Sequence, residues 1–235
     1  MAAGQNRVSE LWIAKGKKST RINEVLYIAD GKKIPVITKS NHELDRIFPD
    51  IAHQGIIAVT EEFSYTDIGD LIEISLNAPG YALLIAADHI TDEGNLGAII
   101  RTATFFGADG LIIPKDRSAQ VTGNVQKRSS GAYFHLPVAR VINLGRTLDT
   151  LSKKGFWVIG SDGKSLESIY RFDWNRDLVL VMGSEDKGIG RSVRSRCHQL
   201  VGIPSSGKTE SLNVSVACGS ILSEIIRQKR SKMEA

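Results

Sequence analysis

From Gly80 onward, short apolar runs alternate with amphipathic stretches. Ala82–Ala87, Gly110–Pro114, Leu136–Val141, Phe156–Gly160, Leu178–Met182 and Leu200–Ile203 predict strands. The stretches around 95–106, 118–129, 144–154, 187–195 and 211–229 predict helices. Uninterrupted apolar strands need cover on both faces, and helices between them supply it, so the pattern predicts a parallel α/β sheet. Ahead of Gly80 the pattern is that of a smaller α/β unit. It predicts a short helix at Ala3–Trp12, a strand at Glu24–Ala29, and a helix at Asn41–Phe48 with Asn41 as N-cap. A strand follows at Gly55–Thr60, then an amphipathic helix at Thr66–Leu76, where Ile68, Leu71, Ile72 and Leu76 fall near helical spacing. Asn77-Ala78-Pro79-Gly80 is strong turn punctuation. The expected organisation is therefore a small domain over 1–76, a linker at 77–80 and a larger domain over 81–235.

Composition narrows the class. Of 235 residues, 42% are hydrophobic and 24% charged, enough apolar material for a real core. The longest apolar runs fall well short of the ~20 residues a membrane helix needs. The N-terminal MAAGQNRVSELW lacks the basic-then-apolar pattern of a secretory leader, so a cytoplasmic protein is expected. Cys197 and Cys218 are too few for a disulfide framework or a four-thiolate zinc site, and no metal is expected. The net charge of +4 hides a division. Residues 1–46 carry nine Lys/Arg and five Asp/Glu, residues 47–100 carry nine acids and no Lys or Arg, and residues 101–235 carry 21 bases and 12 acids. Two basic blocks around an acidic one suit two modules that each meet a polyanion, although solvated faces alone would give the same sums.

In a parallel sheet, ligands bind beyond the carboxyl ends of the strands, and those ends hold the candidate chemistry. Gly202-Ile203-Pro204-Ser205-Ser206-Gly207-Lys208-Thr209 fits the phosphate-loop pattern to the letter. Pro204 removes an amide that such a loop needs, and Ser211-Leu212-Asn213, with Ser211 as a cap, looks like a separate helix start, which argues against the match. Three other strand ends are more informative. In Asp88–Gly107, Gly94 and Gly97 permit a tight turn, Asn95 sits in it, and Arg101 follows with a guanidinium that can fork onto a phosphate. Read alone, Asn95 is equally a cap and Arg101 a surface residue. In Leu178–Gly190, Gly183 leaves room for a flat ligand and Glu185 places a carboxylate at the strand end, or else favours a helix dipole. In Leu200–Ile226, Ile203-Pro204 ends a strand, and a helix with one small-residue flank follows.

Together and in this order, the three segments resemble the motifs of the SpoU (TrmH) branch of the SPOUT methyltransferases. The first is carried by Asn95, Gly97 and Arg101. The second is carried by Gly183, Glu185 and Gly188, and the third by Ile203-Pro204 and Ser211-Leu212-Asn213-Val214. Lys115–Pro137 resembles the family's middle segment. Gly4, Asn6, Val8, Glu10 and His53-Gln54-Gly55 resemble its small RNA-binding domain, which is similar to ribosomal proteins. One departure is Ser205, where the family often has Met after Ile-Pro.

The resemblance implies a parallel-sheet SPOUT domain with a deep trefoil knot, a homodimer, and methyl transfer from S-adenosylmethionine to an RNA ribose 2′-hydroxyl. A guanosine of 23S ribosomal RNA is the expected target, with transfer RNA as the alternative. It places Gly183, Ile203 and Leu212 against the cofactor, with Met182 and Pro204 as neighbours. Arg101 goes to the hydroxyl and adjoining phosphate, Glu185, Ser211 and Asn213 fix Arg101 and the ribose, and Asn95 braces the loop. Arg117, Lys127 and Arg128 near the site, and Lys15, Lys17, Lys18 and Arg21 on the small domain, are candidate phosphate contacts. A non-enzymatic RNA-binding protein would keep the basic blocks but would have no need of the three motifs.

Overall fold

The computed structural model describes residues 8–17, 19–49, 53–208 and 211–233. Its contacts divide the chain into two compact units, Met1–Ser64 and Tyr65–Ala235. The division thus falls ahead of the helix Ile68–Leu76, not after it. The reason is packing: Leu71 and Ile72 of that helix are buried in the larger unit's core cluster.

In the small unit, β1 (Val8–Ala14) is the central strand, parallel to β2 (Val36–Lys39) and antiparallel to β3 (Ile56–Thr60). The helix expected at Ala3–Trp12 is therefore a strand over the part described. Leu11 and Ile13 alternate into the core and pair on both sides, and that outweighs local helix propensity. The strand expected at Glu24–Ala29 is also overturned, because it lies inside α1 (Thr20–Gly31). Ser19 caps this helix, accepting from the Ile22 amide at 3.2 Å. Ile22, Val25, Leu26 and Ala29 then recur at helical spacing against the small core. A short apolar run such as EVLYIA does not by itself separate strand from buried helix. Helix α2 (Asn41–Ile47) starts one residue earlier than the Asn41 cap implied. Ser40 is its N-cap and forms a capping box with Glu43.

The larger unit opens on α3 (Ile68–Leu76), followed by β4 (Leu83–Asp88), α4 (Glu93–Phe105), β5 (Gly110–Pro114), α5 (Gly123–Arg128) and β6 (Val138–Val141). Then come α6 (Leu144–Lys153), β7 (Trp157–Ser161), β8 (Leu178–Gly183), α7 (Arg191–Arg194), β9 (Gln199–Val201) and α8 (Val214–Met233). All six strands are parallel, in the order β6-β5-β4-β8-β7-β9. Their residues alternate between two cores. Leu84, Ala86, Val179 and Val181 share one cluster with α3 and α6. Leu83, Ile85, Leu178 and Leu180 are equally buried, on the side where α4 and α8 pack together. The chain runs outward from β4 to β6, then returns to lay β8 on the other flank of β4. This reversal makes the carboxyl ends of β4 and β8 the switch point at which α/β sheets bind ligands.

Candidate active site

At the switch point, Asp88 ends β4 in register with Gly183 at the end of β8. The segment after Gly183 folds back on itself: the Gly188 amide donates to the Ser184 carbonyl at 2.8 Å. Its far end is held by Asp88, whose Oδ2 accepts the Gly190 amide at 2.7 Å. Asp88 is only 1% exposed, so both of its oxygens need partners, and Oδ1 lies 2.6 Å from His89 Nδ1. Gly183 has a different reason for being glycine than the one expected. A Cβ there would stand 2.2 Å from the Gly188 carbonyl carbon and 2.3 Å from the Ile189 nitrogen. Its missing side chain makes room for its own loop to fold back.

The folded-back loop forms one wall of a cavity of about 730 Å³. The other walls come from the ends of β7 (Ser161, Asp162, Lys164) and β9 (Ile203, Pro204, Ser205), and from Ser211 and Leu212 before α8. All five residues expected against the cofactor, Met182, Gly183, Ile203, Pro204 and Leu212, line this cavity.

A polar tie joins the three motif segments beside it. Glu185 Oε1 accepts from the Val214 amide at 3.1 Å and from Asn213 Nδ2. Asn95 Nδ2 donates to Glu185 Oε2 at 3.3 Å, and Asn213 Nδ2 donates to Asn95 Oδ1 at 2.9 Å. Asn213 is also the cap of α8, its Oδ1 accepting from the Ser215 amide at 3.0 Å. The Glu185 carboxylate therefore sits at the positive end of a 20-residue helix, where negative charge is favoured.

Four expectations change here. Asn95 is not in a turn: α4 begins at Glu93 with Asp92 as N-cap, and Asn95 lies in its first turn. Gly97 is helical too, and a Cβ there would lie 2.5 Å from Arg128 Cβ, so glycine lets α5 pack on α4. Ser211 lines the cavity, and Asn213 does the capping. Arg101 is not among the tied residues. It is exposed on α4, and its Nη1 donates to Ser130 Oγ at 3.3 Å. Arg117, Lys127 and Arg128 are exposed on the larger unit, and Lys15, Lys17 and Arg21 on the small one. Lys18, Gly4 and Asn6 lie outside the described residues.

The phosphate-loop reading fails on backbone bonding. The Gly202 amide donates to the Glu167 carbonyl at 2.8 Å and its carbonyl accepts from the Ile169 amide, while the next helix opens only at Val214. No cluster of metal-ligating side chains occurs among the described residues, and no described helix is long and apolar enough to cross a membrane.

The sequence reading passed over Asp162 and Asp88. Burial opposes the Asp162 charge, but the Lys164 amide and the Arg194 guanidinium outweigh it and hold the carboxyl below its ordinary range. Asp88 had a signal, being the one acid closing an otherwise apolar run from Ala82. Neither thiol is poised to react. Burial pushes Cys197 up to about 11 and Cys218 up to about 12. A thiol reagent at pH 8 should therefore find two slow cysteines in the native protein and two fast ones in denaturant. A fast native equivalent would contradict the burial of these groups.

Comparison with known proteins meets the same three segments. Residues 82–223 match the model of the SpoU rRNA Methylase family. The chain belongs to the SpoU family. Residues 1–66 of this SpoU protein match a second model, RNA 2′-O ribose methyltransferase substrate binding. The 23S rRNA (guanosine-2′-O-)-methyltransferase RlmB of Pseudomonas aeruginosa is 40% identical over 223 residues, covering 95% of this chain and 90% of its own. Among solved structures, the SpoU methyltransferase AviRb of Streptomyces viridochromogenes is 27% identical, with a TM-score of 0.80 over 97% of this chain and 84% of its own. Its complex with the cofactor AdoMet (S-adenosylmethionine) aligns at 27% identity with a TM-score of 0.79, over 96% and 85% of the two chains.

Proposed function

We propose that this SpoU protein is an S-adenosylmethionine-dependent RNA methyltransferase acting on the ribose 2′-hydroxyl of a guanosine in 23S ribosomal RNA, as a cytoplasmic homodimer. The observation that carries the reading is the convergence of Met182, Gly183, Ile203, Pro204 and Leu212 on one cavity at the switch point. The cavity suits the cofactor. Its volume lies within the usual range for small-molecule sites, and it offers apolar side chains with backbone polar groups at three strand ends. Bound there, S-adenosylmethionine would supply a methyl group already activated on a sulfonium. Met182, Ile203 and Leu212 would pack its flat and apolar parts, and the Asn95–Glu185–Asn213 tie would hold the surrounding loops in register.

The remaining task falls to the chain's own residues: placing a weakly nucleophilic hydroxyl and tolerating the charge that develops on it. A guanidinium has donors and no acceptor, so Arg101 serves as a clamp on the RNA phosphate and a stabiliser of the developing alkoxide rather than as a base. Arg101 bonds to Ser130 and to none of the three tied residues, which suits a site completed across a subunit interface, the assembly the resemblance implied. The trefoil knot belongs to the same proposal. It is supported by the bracketing of Gly202 between Glu167 and Ile169 before the chain turns back to α8. The exposed bases Arg117, Lys127, Arg128, Lys15, Lys17 and Arg21 are the phosphate contacts of this reading, with the small unit capturing folded RNA.

Calorimetry with S-adenosylmethionine, S-adenosylhomocysteine and ATP tests the cofactor assignment: the first two should bind and ATP should not. Affinity for an unmodified 23S transcript should fall by about a hundredfold or more between 50 and 200 mM salt if six or so phosphates are contacted. Mapping 2′-O-methyls in RNA from a deletion strain should show one guanosine of 23S RNA unmethylated. A lost mark in transfer RNA instead would reassign the substrate.

A further inference from the structure

His89, directly after β4, has a left-handed backbone with φ 59°, and Arg117, after β5, has φ 55°. Glycine adopts this conformation without penalty, whereas a side chain makes it costly, so a histidine there needs a reason. Part of the reason lies inward: His89 Nδ1 faces the buried Asp88, and Gly190 packs against the ring, a Cβ there standing 3.6 Å from Cε1. These contacts fix the imidazole with Nδ1 inward, so Nε2 is left as its free hydrogen-bonding atom. The side chain is 46% exposed, and Nε2 has no hydrogen-bond partner among the described residues. The next residue anchors the neighbouring strand end. The Ile90 carbonyl accepts from the Ala119 amide at 2.7 Å and from Ser118 Oγ at 3.2 Å, holding the segment that carries exposed Arg117. Asp88 is in register with Gly183, so His89 stands one position beyond a wall of the cofactor cavity.

We infer that His89 is an RNA-contacting residue. It stands on a strained, buried-carboxylate-braced turn and offers Nε2 to a polar edge of the target nucleotide or its unpaired neighbour, setting the register of the RNA over the cofactor cavity. The inference rests on the methyltransferase reading. Single-stranded RNA with splayed bases is recognised through such edges, and a ring held in one orientation loses little freedom on binding.

Two variants test it. His89→Asn keeps a residue that tolerates left-handed backbone and a polar side chain beside Asp88, but it gives up Nε2. His89→Gly relaxes the backbone and removes the ring altogether. The measurements are the S-adenosylmethionine Kd, the thermal midpoint, and KM and kcat for methylation of an unmodified 23S transcript. Both variants should raise the RNA KM by about tenfold or more, the loss of roughly one good hydrogen bond to a polar partner. The cofactor Kd of His89→Asn should stay within about twofold of wild type. A wild-type RNA KM in His89→Asn would overturn the inference. So would a weakening of cofactor binding that matches the rise in RNA KM, because His89 would then only brace the Gly183–Gly190 loop. A wild-type enzyme that binds the cofactor but methylates no RNA would sink the broader reading, and this inference with it.

Discussion

Arg101→Ala is expected to lower kcat for RNA methylation by at least about a hundredfold, the scale seen when one donor aimed at a developing oxyanion is removed. Its cofactor affinity should not change, since Arg101 is absent from the cavity wall and from the Asn95–Glu185–Asn213 tie. Stability should hold within about 0.5 kcal/mol, because the residue is exposed and the hydrogen bond from its side chain to Ser130 is long. Arg101→Lys should fall in between: it restores charge but not the planar fork that grips a phosphate. Single-turnover methylation of a 23S transcript, run beside calorimetry with S-adenosylmethionine, separates these terms. Near-normal turnover in Arg101→Ala would remove Arg101 from the chemistry and leave it as a surface residue of α4.

Gly183→Ala should have the opposite profile, with cofactor binding failing first. The added methyl would meet backbone atoms of Gly188 and Ile189 at 2.2 and 2.3 Å, and no rotamer change relieves a clash with backbone. The loop must shift outward, and with it go the Asp88–Gly190 bond and the position of Glu185 against α8. A stability loss of about 1–3 kcal/mol is expected for forced overpacking of this kind, with S-adenosylmethionine affinity reduced by more than tenfold through loss of about 1.4 kcal/mol or more. Gly123→Ala is the matched control. A Cβ there meets nothing within 4 Å at the first residue of α5, so the change should be neutral or slightly stabilising. Calorimetry and thermal melts of the two alanine variants decide the matter. Equal cofactor affinity in both would mean that the loop yields without consequence.

The larger sheet was legible in the chain because its strands are buried on both faces and bounded by turn residues, so Leu83–Asp88, Gly110–Pro114 and Leu178–Gly183 stand out as apolar runs. The small unit was less so. Leu11 and Ile13 reveal a strand only once β2 and β3 flank them, and Leu26 reveals a helix only once Ser19 is seen to cap it. Much the same holds at the site. Motif spacing pointed to the residues that line the cavity, because each lies at the end of a strand. It did not show that Asn213 both caps α8 and bridges to Asn95, 118 positions earlier, or that Asp88 holds an amide 102 positions away. Those contacts exist because β8 is inserted beside β4, and no local pattern encodes an insertion. The sequence shows at Gly183 that a side chain is missing, but not that the backbone of Gly188 and Ile189 packs into the space, because that contact depends on how the loop folds back.

The late arrival of β8 at the centre of the sheet also sets an order of assembly. The start of β4 is secured partly by Asp177, whose carboxylate takes the Ala82 amide from 95 residues away. Contacts of such separation must overcome chain entropy before anything rewards them, and sheets built this way form slowly. The cavity needs the end of β8, the end of β9 and the cap of α8, so it cannot form on a nascent chain until the start of α8 has been made, long after β4.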